Sequence, residues 1–220
     1  NEYEPIWSPN KTKHKTRIAV PFDEAFNFYY KENLEALEYN NAKIEYFSPI
    51  HDEQLPSVDA LYIGGGYPEI FKKELSKNTT MLESIKEFSQ DNHPIYAECG
   101  GLMYLCKTID SLPMVDVFPY HSMLTKRVQG LSYTIAHVQR DNPILKKNTT
   151  YHGHEFHYSK VEYTGSNSND FAFSMRRGVG ITGKYDGLLK NNTLASYIHT
   201  HTACLPDFGY NFTQSAYENK

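Results

Sequence analysis

The 220-residue sequence is poor in cysteine, in long apolar runs and in clusters of one charge. It holds 3 cysteines and no Cys-x-x-Cys pair, which argues against a disulfide-rich secreted protein and against a structural zinc site. No apolar stretch approaches the roughly 20 residues of a membrane-spanning helix, so we expect no membrane partner. With a net charge of −4 and no Lys/Arg run, nucleic acid is not expected as a partner either.

A secretory signal is also missing, and the chain begins at Asn1 rather than Met. We therefore expect a cytoplasmic protein, present as a processed chain or as a piece of a longer one. Hydrophobic residues make up 40% of the sequence and charged residues 22%, which suffices for a globular core. Residues 1–15 are polar and predict a linker or lead-in, followed by one domain over residues 16–220.

Strand and helix patterns alternate in the first half of the chain. Short apolar runs predict strands at residues 17–21, 43–47, 60–63 and 94–98. Helical spacing of apolar residues predicts helices at residues 26–39, 68–75, 80–90 and 100–107. This alternation is typical of an α/β fold with a parallel, doubly wound sheet.

After about residue 110 the pattern becomes strand-rich. We expect antiparallel strands that complete the sheet, at residues 132–138, 155–161, 171–174, 180–183 and 194–198. Residues 165–169 are polar and predict a surface loop.

Cys99 stands between a predicted strand and a predicted helix, and Gly100 and Gly101 follow it. A nucleophile on such a turn projects from the sheet in a strained backbone that small neighbours permit. The start of the helix would also favour the reactive thiolate. The alternative is a buried structural cysteine, and the glycine pair makes us favour the nucleophile. Cys106 and Cys204 lack this context, and we interpret both as structural.

A nucleophilic cysteine needs a general base, and His199 and His201 end a late apolar run. On a strand the two side chains would point the same way, towards the edge where open α/β folds bind ligands. The alternatives are a pair of solvent-exposed histidines or a shared metal ion. No third ligand is evident nearby, so we expect no metal.

Three glycines, Gly64 to Gly66, end the third predicted strand. Their backbone N–H groups could stabilise an oxyanion together with the N–H of Gly100. The alternative is a phosphate-binding loop. That loop would need a following Gly-Lys-Ser/Thr, and here Pro68 removes a donor instead, so nucleotide binding is not expected.

Residues 152–157 read His-Gly-His-Glu-Phe-His, a composition that also occurs in metal sites. On a strand, Glu155 and His157 would face one way, and His152, His154 and Phe156 the other. We prefer to interpret this segment as a polar lining of an acceptor pocket.

Together these motifs resemble the C-terminal glutaminase domain of the cobyrinic acid a,c-diamide synthase family. The resemblance extends over residues 17–205. Its motifs lie at residues 23–34, 61–69, 97–104, 153–159, 185–187 and 195–199.

The resemblance implies a class I, triad-type glutamine amidotransferase fold. Such a fold has a flavodoxin-like, mostly parallel sheet, helices on both faces and an antiparallel C-terminal extension. It implies that glutamine is hydrolysed through a Cys thioester and that ammonia passes to an ATP-dependent synthetase domain, which this chain lacks. ATP and Mg²⁺ would belong to that domain, and this one would need no cofactor. The acceptor would be a tetrapyrrole, either cobyrinic acid or the nickel sirohydrochlorin of coenzyme F430 synthesis in methanogens.

The resemblance implies that Cys99 is the nucleophile, that His199 activates it, and that Gly65, Gly66 and Gly100 bind the substrate or its oxyanion. His201 occupies the place of the usual triad Glu, so what orients His199 is open. His201, Glu155 and His157 are candidates for an orienting or acceptor-site role. Met103 replaces a Gln that commonly holds glutamine.

Two alternatives remain. One is another Cys-elbow hydrolase on the same fold. The other is a non-enzymatic module that binds a tetrapyrrole or a partner through Phe26, Tyr29, Tyr30 and the segment 152–157. A homodimer is left open as well.

Overall fold

The computed structural model describes residues 6–163 and 171–219. Its first half alternates between strands and helices. In chain order these are β1 (Thr16–Pro21), β2 (Phe26–Phe28), α1 (Lys31–Tyr39), β3 (Ala42–Phe47), β4 (Ala60–Ile63), β5 (Gly65–Gly66), α2 (Lys72–Lys77), α3 (Thr79–Gln90), β6 (Ile95–Glu98) and α4 (Gly100–Leu105).

The second half is built almost entirely of strands and closes with a helix. Its elements are β7 (Cys106–Ile109), β8 (Leu112–Pro113), β9 (Phe118–Leu124), β10 (Gly130–Val138), β11 (Thr150–His157), β12 (Ser159–Tyr163), β13 (Phe171–Arg177), β14 (Tyr185–Lys190), β15 (Thr193–Ser196) and α5 (Phe208–Glu218).

The central sheet has nine strands in the order β11-β10-β13-β14-β15-β6-β4-β1-β3. The neighbours from β15 to β3 run parallel, and those from β11 to β15 run antiparallel. A second sheet has the order β12-β9-β7-β8, and β2 pairs with β5 in a short ribbon. This confirms the expected α/β class, with a parallel sheet and an antiparallel C-terminal extension.

Helices cover both faces of the sheet. Apolar residues of α3 and α4, among them Ile85 and Leu102, are buried in the core on one face. On the other face, α1 and α5 bury Leu37, Phe208 and Phe212. Each such side chain, when fully buried, contributes about 1.5–3 kcal/mol. The sheet is therefore fixed from both sides, which holds the ends of its strands in place.

The helix predicted at residues 26–39 begins only at Lys31, so its first turn is a wrong prediction. Phe26–Phe28 forms a strand instead, because it pairs with Gly65–Gly66 across the ribbon. Gly66 permits this approach, since a Cβ atom there would overlap the carbonyl of Ala25. Helical spacing in the sequence does not reveal such a distant partner.

Other boundaries also differ from the predictions. The helix predicted at residues 100–107 ends at Leu105, and the strand predicted at 155–161 is broken at Tyr158 between two sheets. The strand predicted at 180–183 is wrong: this segment turns, and the strand follows at Tyr185–Lys190. Helix α5 was not predicted. The loop predicted at residues 165–169 lies outside the described residues.

The described part of the lead-in contacts the domain. Trp7 lies against Tyr39 with ring centroids 5.9 Å apart, and the Thr12 N–H donates to Asn40 Oδ1 at 3.2 Å. Where the chain is described, none of its helices combines the length and apolar character needed to cross a bilayer.

Candidate active site

Cys99 occupies a sharp turn between β6 and α4. Its backbone has φ +48° and ψ −97°, a conformation that costs an L-residue about 1–3 kcal/mol. The Cys99 N–H donates to the carbonyl of Ser196 at 2.8 Å, which ties the turn to β15. Gly101 has no room for a side chain, because a Cβ atom would lie 2.7 Å from the Ile63 carbonyl oxygen. The predicted strand–elbow–helix geometry is therefore present.

Cys99 and His199 line the same cavity, whose volume is about 210 Å³. Apolar and aromatic side chains make up much of the wall. The other residues of the lining are Phe28, Gly66, Tyr67, Glu69, Met103, Leu124, His154, Phe156, His157, Tyr158 and Ser159.

The glycine loop lies between the elbow and the histidine. A Cβ atom on Gly100 would lie 3.0 Å from the Gly66 nitrogen, and one on Gly65 would lie 2.9 Å from Cε1 of His199. Gly66 itself lines the cavity. The Gly64 N–H donates to the hydroxyl of Tyr29 at 3.1 Å, so it is not available to a substrate.

The Cys99 thiol is protonated in the resting site. Burial raises the pKa of Cys99 to about 12, the charges of Glu69 and Glu98 add to this effect, and the Gly100 N–H opposes it. The start of the helix does favour the thiolate through the Gly100 N–H, as expected, but burial and the two carboxylates outweigh this effect. Sγ lies 3.7 Å from the carbonyl oxygen of Phe156, which can accept its proton in a weak hydrogen bond.

His199 is a neutral imidazole at physiological pH, because burial, helped by the charges of His154 and His157, lowers its pKa to about 3. The ring stacks on that of His154 at a centroid distance of 5.0 Å and meets Phe28 edge-on at 5.4 Å. Its Nδ1 atom has no hydrogen-bond partner among the described residues. Contacts between rings therefore position this histidine within the described structure.

A backbone bridge also holds the His199 segment. Its N–H donates to the His154 carbonyl at 2.8 Å, and the His154 N–H returns a bond of 3.3 Å. Gly153 makes this approach possible, because a Cβ atom there would lie 2.6 Å from the His199 carbonyl oxygen. Strand β11 thus supports the histidine segment through both backbone and ring contacts.

His201 does not line the cavity. Its Nε2 atom lies 3.7 Å from a carboxylate oxygen of Glu32, and its ring meets that of Tyr30 edge-on at 4.6 Å. The expectation that the two side chains point the same way is therefore wrong. Strand β15 ends at Ser196, and beyond it His199 and His201 have different surroundings.

Glu155 and His157 are both buried, on the face of β11 opposite His152 and Phe156. His157 lines the cavity, stacks on Tyr197 and donates from Nδ1 to the Ser159 carbonyl at 2.9 Å. Its Nε2 atom lies 3.6 Å from Glu155.

The Glu155 carboxylate is held mainly by backbone donors, the N–H groups of Val179 at 2.6 Å and Gly180 at 2.8 Å. Burial alone would raise its pKa, but the His157 ring, 3.6 Å away, and these backbone bonds outweigh it and lower the pKa. Glu155 therefore anchors the 179–180 turn and sits behind His157 rather than beside His199.

A buried carboxyl group beneath the elbow was missed by sequence reasoning. Glu98 accepts hydrogen bonds from the Thr200 N–H at 2.8 Å, from Tyr96 at 2.7 Å and from Tyr62 at 3.1 Å. Glu98 directly precedes Cys99, and Thr200 directly follows His199, so the bond between Thr200 and Glu98 connects the segments that carry the two candidate catalytic residues. The sequence carries no signal for this network, because its members come from β6, from β4 and from the segment after β15.

Glu98 makes the stability of the folded protein depend on pH. Burial, opposed by these hydrogen bonds, raises its pKa from 4.5 to about 7. Between these two pKa values the folded protein keeps a proton that the unfolded chain loses. The contribution of protonated Glu98 to the free energy of unfolding is therefore fully present below pH 4.5 and is lost as pH rises through 7. Between pH 5 and pH 8 we expect the free energy of unfolding to fall by about 3 kcal/mol less in Glu98→Gln than in the wild type, as measured by denaturant unfolding at both pH values. An unchanged slope would show that folded Glu98 is ionised across this range.

Comparison with solved structures defines the class of the fold. A chain of the PurLQS structure from Thermotoga maritima matches with a TM-score of 0.66 and 12% identity, covering 93% of this chain and 99% of that one. Another structure, described as a glutamine amidotransferase, matches with a TM-score of 0.63 and 16% identity, covering 90% and 98%. The fold is that of the class I glutamine amidotransferases.

The sequence then gives the family. Residues 17–204 match the model of the CobB/CobQ-like glutamine amidotransferase domain, and the chain belongs to that family. The resemblance identified from the sequence motifs is therefore confirmed.

Curated relatives named cobyrinate a,c-diamide synthase agree with this assignment. The one from Methanobrevibacter smithii is 56% identical over 216 residues, which is 98% of this chain and 48% of the relative. The one from Methanothermobacter thermautotrophicus is 54% identical over 217 residues, which is 99% of this chain and 48% of the relative. The chain thus spans about half the length of these relatives.

Proposed function

We propose that this domain hydrolyses glutamine to glutamate and ammonia through a thioester on Cys99. The ammonia then serves an ATP-dependent synthetase half, which amidates the a and c acetate side chains of a tetrapyrrole. The observation that carries this proposal is the shared cavity, which a strained cysteine elbow and a buried neutral histidine both line.

The reaction begins with a neutral thiol and a neutral imidazole. As the sulfur attacks the side-chain carbonyl carbon of glutamine, His199 takes the thiol proton, so no free thiolate is needed. Backbone N–H groups of Gly65, Gly66 and Gly100 stabilise the oxyanion, and one such donor is typically worth about 3 kcal/mol. His199 gives the proton to the leaving nitrogen, and ammonia departs.

The same groups then hydrolyse the thioester, with water as the attacking nucleophile. His199 takes a proton from water as the water oxygen attacks the thioester carbon. When the second tetrahedral intermediate collapses, the proton returns to the sulfur and glutamate is released. Protons and bonds balance over the cycle, and no further cofactor enters it.

The residues of this cavity do not suit ATP and Mg²⁺. Its described lining has no lysine or arginine and contains one carboxylate, Glu69. Elsewhere too, no cluster of three or more His, Cys, Asp or Glu residues in the described ranges could hold a metal ion. We therefore assign ATP, Mg²⁺ and the acceptor to the synthetase half.

The names of the relatives support cobyrinic acid as an acceptor, and nickel sirohydrochlorin is the second candidate. The test is to incubate the full-length protein with ATP, Mg²⁺, glutamine and each tetrapyrrole, and to measure the product by mass spectrometry. We expect a diamide from one of the two acceptors, with one glutamate formed per amide.

Replacing glutamine with free ammonia tests the tetrapyrrole assignment separately from the glutaminase assignment. If neither acceptor is amidated even with ammonia, the tetrapyrrole assignment is wrong. If ammonia supports amidation and glutamine does not, the glutaminase assignment is wrong. A non-enzymatic binding module would bind a tetrapyrrole and form no amide with either nitrogen donor.

A further inference from the structure

The described lining of the cavity contains one carboxylate, and no described cation lies within ion-pair distance of it. Glu69 lines the wall together with Cys99 and His199, and it is half-buried. The nearby Lys72 ammonium is bound to Asp110, with 2.5 Å between Nζ and Oδ2. No cation within the described ranges forms an ion pair with Glu69.

The position of Glu69 is fixed by the turn that follows the glycine loop. The Ile70 N–H donates to the Tyr67 carbonyl at 3.0 Å and closes that turn. Pro68 packs against the elbow, since a Cβ atom on Gly100 would lie 3.0 Å from its Cδ atom. The backbone at Glu69 is therefore held beside the elbow of the nucleophile, and the Glu69 side chain lines the same cavity.

We propose that Glu69 binds the α-ammonium group of glutamine and so sets the specificity of the cavity. This assignment rests on the proposed glutaminase function. Glutamine carries its cation on the same short chain as the amide that Cys99 attacks. Met103, which stands where a glutamine-binding Gln is common, is apolar and offers the ammonium no comparable partner.

The charge of Glu69 also acts on the sulfur. Burial raises the pKa of Glu69, and an unpaired charge at this place is one of the causes that raise the pKa of Cys99. A bound ammonium would neutralise that charge and make the thiol easier to ionise. Glutamine would thus activate the cysteine that cleaves it, whereas an amide without the ammonium would not.

The test compares glutamine with 4-carbamoylbutanoate, which is glutamine without its amino group. Hydrolysis of both by the full-length protein is measured for the wild type, for Glu69→Gln and for Glu74→Gln. Glu74 is a matched control, because it is an exposed carboxylate on the following helix. A charge-assisted bond corresponds to about 10- to 100-fold in kcat/KM, so we expect Glu69→Gln to lose that factor for glutamine.

The same variant should hydrolyse 4-carbamoylbutanoate at least as fast as the wild type, because its neutral side chain no longer opposes ionisation of the Cys99 thiol. Activity on this amide also shows that the site is folded. The pH profile of Cys99 alkylation by iodoacetamide should also shift to lower pH in Glu69→Gln, and it should not shift in Glu74→Gln. A purely structural role for Glu69 would produce neither the selective loss nor this shift.

Failure of this assignment differs from failure of the glutaminase function. A wild type that hydrolyses glutamine, with Glu69→Gln unchanged or impaired equally on both amides, overturns the role of Glu69 alone. A wild type that hydrolyses neither amide, although its synthetase half works with ammonia, overturns the proposed function and the role of Glu69 with it.

Discussion

Replacing Cys99 with alanine is expected to abolish glutamine-dependent activity, by about 10⁴-fold or more, while leaving ammonia-dependent amidation intact. Without the sulfur no thioester can form, and loss of a covalent nucleophile removes most of an enzyme's rate. The variant should fold, because alanine meets the same backbone strain at φ +48° as cysteine does. Glutamate release and amide formation by the full-length protein are the two measurements.

Cys204 provides the matched control. It is exposed and lies outside the described lining of the cavity, so Cys204→Ser should keep both activities. Equal glutaminase activity in the wild type and in Cys99→Ala would show that the nucleophile lies elsewhere.

Replacing His199 with asparagine is expected to reduce glutamine hydrolysis by about 10²- to 10⁴-fold, the usual contribution of a general acid–base group. The effect should be large because Cys99 and His199 are both neutral at rest, so attack requires a proton transfer between them. The loss should appear in kcat, with a smaller change in KM, because the cavity wall stays otherwise complete.

His201→Asn is the comparison for this prediction. His201 lies beside Glu32 and Tyr30, outside the described cavity lining, and its loss should change glutamine hydrolysis by less than about tenfold. A result in which the His201 variant loses more activity than the His199 variant would reverse the assignment of the base.

Local sequence patterns predict the parts of this site that local geometry controls. Two predicted strands are short apolar runs that end at glycines. One ends at the Gly64–Gly66 loop, and the other ends at Cys99 with its following glycine pair. Because the ends of parallel strands meet at one edge of the sheet, this pattern is enough to place both segments there. The alternation of β11 is also predicted correctly, because side chains on a strand alternate between faces.

Long-range pairing produces the features that the sequence does not predict. Phe26–Phe28 becomes a strand only because Gly65–Gly66 lies beside it. Glu98, on β6, meets Tyr96 of its own strand, Tyr62 of β4 and Thr200 in the segment after β15. The charge on Glu69 could have been noticed in the Gly-Gly-Gly-Tyr-Pro-Glu motif, but its lack of a cationic partner becomes visible only in three dimensions.

The most direct measurement is a rapid-quench experiment with isotope-labelled glutamine and the full-length protein, followed by mass spectrometry of its peptides. Cys99 as the nucleophile predicts a glutamyl adduct on the peptide containing Cys99, released by hydroxylamine and absent from Cys99→Ala. Turnover of glutamine with no adduct on Cys99 at any time, or with the adduct on another residue, would contradict it.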